Sequence, residues 1–160
     1  MIELIGANPS SRAVQIKSLL GLAQVFSGAK AEGKPLCQQA VEMAAGMSDP
    51  WLLAFARLSL AEAEFEIGDF KQAQADALAA REGFVSLGQL ESPWRASLVA
   101  ARAARRAGDD AKAREYASHI PELLSGIQQK WGADSYNSYR TRRDVQLLRK
   151  LLQDEFAISS

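Results

Sequence analysis

Downstream of Gly68, apolar or small side chains fall at Phe70, Ala73, Ala77, Ala80, Phe84 and Leu87. Steps of three and four trace one face of a helix. The same face returns at Ala113, Ala117, Ile120, Leu124 and Ile127, and more loosely at Cys37, Ala40, Ala44 and Met47. No stretch alternates with period two for long enough to predict a strand. The expected fold class is all-α.

Start and stop signals divide the pattern into elements. Asp49-Pro50-Trp51 and Ser92-Pro93-Trp94 each place a capping side chain before a proline suited to the first helical turn. Gly68 and Gly108 suit the left-handed residue that ends a helix, with Asp69 and Asp109 ready to cap the next. The pattern predicts helices over about 10–27, 35–47, 51–67, 70–87, 93–107, 110–130 and 135–153. Pro121 is positioned to kink or split the sixth.

Sliding the chain against itself by 40 residues brings Gly28, Gly68 and Gly108 into register without a gap. Other columns follow: Gly21, Ala61 and Ala101; Ala23, Ala63 and Ala103; Gly33, Ala73 and Ala113; Cys37, Ala77 and Ala117; Ala40, Ala80 and Ile120. Small residues recur where neighbouring backbones approach, so the unit is helix, tight turn, helix. Units are expected over about 11–50, 51–90 and 91–130, within one domain spanning 1–160.

Ala61, then Gly68-Asp69-Phe70, then Ala73 and Ala80, resembles the tetratricopeptide repeat. Gly21 matches the pattern one unit earlier, and Ala101, Gly108-Asp109 and Ala113 match it one unit later. The resemblance covers most of residues 11–128. It departs where that family often carries Trp and Tyr: Lys17, Arg57 and Ser97 stand at one position, Gln24, Glu64 and Ala104 at the other. The period of 40 also exceeds the family's, about 34, which implies longer helices; HEAT-like packing is the alternative. The resemblance implies antiparallel helix-turn-helix repeats stacked as a short α–α superhelix. Residues 131–153 depart from the repeat, setting Arg142, Arg143, Arg149 and Lys150 beside Val145, Leu148 and Leu152, and read as a capping helix.

In the resembled family the first helix of each unit lines a concave groove. Carried over, the partner-binding candidates are Phe55, Leu58, Glu62, Phe65 and Glu66 on one wall and Arg95, Leu98, Arg102, Arg105 and Arg106 on the next. One wall is then acidic and the other basic, and the arginines suit a carboxylate, a phosphate or an acidic peptide. The competing reading of all ten is an ordinary set of amphipathic helix faces.

Composition narrows the chemistry. With 48% hydrophobic residues in 160, the chain can bury a sizeable core. Nineteen basic and nineteen acidic residues cancel, which disfavours nucleic acid as a partner. The charges are segregated: Met1–Trp94 carry 7 basic and 11 acidic residues, and Arg95–Lys150 carry 12 and 6. No apolar run approaches membrane-spanning length and the N-terminus lacks a signal-peptide layout, so no membrane partner and a cytoplasmic location are expected.

Cys37 is the only cysteine and His119 the only histidine, so neither an internal disulfide nor a multi-ligand Cys/His zinc site is available. Cys37 shares a column with alanines and reads as a buried small hydrophobe. His119 reads as a structural side chain. Glu62, Glu64 and Glu66 do not form one carboxylate site, because spacing of two turns alternate side chains to different sides of a helix. No cofactor and no metal are expected. The function expected from these features is a non-catalytic module binding a peptide or helix of a partner protein on its concave face. The alternative is a homo-oligomer stacking through an apolar first helix that contains Leu19, Leu20, Leu22, Val25 and Phe26.

Overall fold

A computed structural model describes residues 10–159; the ends of the expected 1–160 domain, including the N-terminal stretch read for a signal peptide, lie outside the described residues. The described residues form nine helices and no strand. In chain order these are α1 (Ser11–Phe26), α2 (Lys30–Ala45), α3 (Pro50–Ile67), α4 (Phe70–Ser86), α5 (Glu91–Arg106), α6 (Asp110–Ser118), α7 (Ile120–Trp131), α8 (Ala133–Arg140) and α9 (Arg143–Phe156). Each packs against its neighbours in sequence, and α1, α3 and α5 also pack against one another in turn.

The turn between paired helices is the same three times. Gly28, Gly68 and Gly108 adopt φ of 98°, 96° and 86°, a left-handed conformation that costs a residue with a Cβ about 1 kcal/mol or more. Of the expected caps, Asp49 accepts from Leu52 N at 3.0 Å and Asp109 from Lys112 N at 3.1 Å. Asp69 makes no capping bond, because its carboxylate instead accepts from Lys34 Nζ at 2.8 Å.

Boundaries differ from the sequence expectation around three prolines and at Arg142. Helix α2 begins at Lys30 and carries Pro35 inside it, at the loss of one backbone hydrogen bond. Helix α5 begins at Glu91, so Ser92 is not its cap, and Pro93 sits in the first turn, where a missing N–H leaves little unsatisfied. The expected sixth helix splits at His119, since Pro121 has no N–H to donate to Ala117. The single helix expected over 135–153 is two: Arg142 is extended, and Thr141 Oγ1 donates to Ser138 O at 2.7 Å, closing α8.

That break lets both C-terminal helices reach one core. Trp94 is fully buried among Leu98, Ile120, Leu124, Ile127, Tyr136, Tyr139, Val145 and Leu152, and its Nε1 donates to Tyr139 Oη at 2.8 Å. The hydrogen bond removes the penalty of sealing an indole N–H away from water. Burial raises the Tyr139 phenol to about 12. The first unit is joined differently. Gly21 and Gly33 face each other where α1 crosses α2, and a Cβ on Gly33 would collide with the Gly21 carbonyl and lie 2.7 Å from Val25 Cγ2.

Candidate functional site

Four helices that are not consecutive in sequence open onto one cavity of about 460 Å3: α1 gives Phe26; α3 gives Glu62, Phe65 and Glu66; α5 gives Arg95, Leu98, Val99 and Arg102; α9 gives Asp144, Leu147, Leu148 and Leu151. A second cleft of about 350 Å3 adjoins it and shares Glu62 and Arg95, adding Leu19 and Leu22 from α1 and Trp51, Phe55 and Leu58 from α3. Together they make an elongated groove. Its rims are strongly apolar: Phe26 and Leu147 are each 60% exposed and Leu19 57%. Such a concentration of exposed apolar side chains marks an interaction surface more often than scattered ones do.

The helices hold these side chains because each buries its opposite face. Glu62 and Glu66 are one turn apart on α3, while Leu60, Ala61, Ala63 and Glu64 of the same helix point into the packed interior. On α5 the buried Trp94 and Ala101 anchor the helix so that Arg95, Leu98, Val99 and Arg102 look into the groove. Aromatic contacts stiffen the acidic wall, with Trp51 stacked on Phe55 at 5.4 Å between ring centroids. The Arg102 guanidinium lies 4.4 Å from the Phe65 centroid, a cation–π arrangement that ties the two walls together.

Of the residues expected to form the groove, Phe55, Leu58, Glu62, Phe65, Glu66, Arg95, Leu98 and Arg102 do line the two compartments. Arg105 and Arg106 do not. Arg105 lies 4.2 Å from the Phe156 ring centroid and 3.7 Å from Asp110, and Arg106 reaches toward Phe65 at 5.9 Å. Arg105 is drawn to α6 and α9 by these contacts, whereas Arg106 is exposed at the end of α5.

The contribution of α9 was missed in the sequence. Arg102 Nε donates to Glu155 Oε1 at 2.8 Å, Arg95 lies 3.9 Å from Asp144, and Arg142 reaches Glu91 at 3.4 Å. Pairing start to start and end to end means that α9 runs in the same direction as α5. The expected capping helix is thus also a wall of the groove. The spacing of Leu147, Leu148 and Leu151 carried that signal, but only Leu148 belonged to the apolar set expected for this helix.

Other singled-out residues lie elsewhere. Glu64 is 1% exposed and faces Lys34 at 3.7 Å on the far side of α3. Burial, assisted by Asp76 and opposed by Lys34, raises its carboxyl to about 8. Cys37 is buried against α1, its Sγ 3.7 Å from the Ser18 carbonyl, and burial pushes the thiol up to about 11. His119 is exposed between α6 and α7, beside Arg81 and Glu122. No helix among the described residues is long and apolar enough to cross a membrane. Compared with protein families, curated proteins and solved structures, the chain matches none.

Proposed function

We propose that the chain is a short tetratricopeptide-like superhelix, a cytoplasmic, non-catalytic interaction module that holds a helical or extended segment of another protein in the groove between α1, α3, α5 and α9. The observation that carries this reading is the exposure of Phe26 and Leu147, both lining one largely apolar cavity. Aliphatic and aromatic lining with a few fixed charges suits capture of side chains. Cys37 and His119, the side chains best suited to nucleophilic or base chemistry, lie outside the groove. Panning a displayed library of helical peptides tests the reading. Sequences retained by the wild type are expected to be lost from Phe26→Glu and Leu147→Glu variants that keep their helical circular dichroism. Retention by both variants would contradict it.

A second reading, self-association, is favoured by one set of columns. Leu60 is 6% exposed and Ala100, Ala63 and Ala103 are fully buried. Their counterparts on α1 are Leu20, 48% exposed, and Ala23, also exposed; Ile16, aligned with buried Ala56 and Ala96, is 56% exposed. A second copy docking there would supply the packing that a preceding unit supplies to α3 and α5. Val25, expected to belong to this surface, is 2% exposed and packs inward against Cys37 and Leu60 instead. Light scattering is expected to give a dimer that Ile16→Glu with Leu20→Glu dissolves; a wild-type monomer at every concentration would exclude it.

A further inference from the structure

The charges of the groove are unequally satisfied. On α5, Arg102 is held by Glu155 at 2.8 Å and Arg95 approaches Asp144 at 3.9 Å, so α9 brings carboxylates to the basic wall from within the chain. On α3, Glu62 and Glu66 stand one turn apart in the same cavity, and neither side chain has an ion pair or hydrogen bond among the described residues. Burial and the neighbouring Glu66 both disfavour the ionised form of Glu62, against the pull of Arg95. An acidic partner, which the arginines alone suggested, would meet two carboxylates without a salt bridge of their own, beside arginines that α9 already supplies with carboxylates.

Resting on the groove reading above, we infer that the bound segment is an amphipathic helix that sets a lysine or arginine among its apolar side chains, seated against Glu62 and Glu66. The apolar part of such a helix meets Phe26, Leu98, Val99 and Leu147, and its cation supplies the charge that α3 lacks. The shape favours a helix over a compact amine. The two compartments follow α1 from Leu19 to Phe26, two turns or about 10 Å, the length over which an i, i+3, i+7 set of anchors spreads. Charge placed opposite an unpaired charge in a partly desolvated groove selects partners more strongly than surface charge does.

Two synthetic helices of about 15 residues test the inference, identical in their leucine anchors and differing by Lys or Glu at one flanking position. Each is titrated into the full chain, with methyl NMR shifts of Val99 and Leu147 reporting where it binds. The Lys peptide is expected to bind at least about tenfold more tightly, equivalent to about 1.4 kcal/mol. That preference is expected to shrink in the exposed-site variant Glu66→Gln and to vanish in Glu62→Gln with Glu66→Gln. Equal affinity for both peptides at these methyls would overturn the cation and leave the groove standing. Absence of shifts at Val99 and Leu147 with either peptide would overturn both.

Discussion

The first helix pair and the third meet their surroundings in opposite ways. Helices α1 and α2 cross on a Gly21–Gly33 contact, with Ile16, Leu19 and Leu20 of α1 exposed; α5 and α6 carry Ala101 and Ala113 at the aligned positions, and α5 is enclosed by α4, α6, α7 and α9. Both use the same turn, with glycine at positive φ. The repeat therefore fixes the local path of the chain, while what lies outside each pair decides whether a given column is core or surface. Burial cannot be read from a column alone.

The contact between α1 and α2 offers the sharpest break of the comparison. Gly33→Ala places a methyl group into the Gly21 carbonyl and Val25, and overpacking at backbone level is expected to cost about 3 kcal/mol or more. The aligned Ala113→Gly leaves a smaller deficit of about 1 kcal/mol, mostly backbone entropy. Urea unfolding of both variants measures the ratio, and equal costs would mean that the first pair is not specially close.

The leucine column tests the outer faces. Leu60→Ala is expected to cost about 2–3 kcal/mol because α1 and α2 cover that side chain. Leu20→Ala, at the aligned and exposed position, is expected to stay within about 0.5 kcal/mol. A large loss at Leu20, measured in a monomer, would show that something covers α1 after all.

Between the first and second units the seam is polar, with Lys34 reaching Glu64 and Asp69, where the third unit has Ala104 in the column of Glu64. The folded Glu64 carboxyl titrates at about 8, above its ordinary 4.5. The folded state therefore holds the proton more tightly than the unfolded chain. Stability from this group is fully present below about pH 4.5 and is lost as pH rises through about 8. Glu64→Gln is expected to flatten that decline, as followed by denaturant midpoints from pH 5 to 9. An unchanged slope would assign the decline to other groups.

Much of the architecture is legible in the sequence because it rests on local rules. Gly28, Gly68 and Gly108 mark the turns, and the small-residue columns mark helix crossings. Other features depend on distant partners. Asp69 looks like a cap until Lys34 claims it, and Arg102 looks available until Glu155, 53 residues away, accepts its hydrogen bond. The same is true of the groove: Glu62 and Glu66 are legible as one helix face, whereas Phe26 and Leu147 come to line one cavity only through the packing of four helices. The break at Arg142 follows from the shared core around Trp94 and has no sequence signal as plain as a glycine or proline.

The central claim, that the groove is the binding surface, is tested most directly by photocrosslinking from single positions in the full chain. A photoreactive residue at Phe26 or Leu147, on the groove rims, is expected to trap partner peptide, while one at Val85, 52% exposed on α4, is not. Crosslinking from position 85, or from positions 16 and 20 in place of 26 and 147, would contradict the claim.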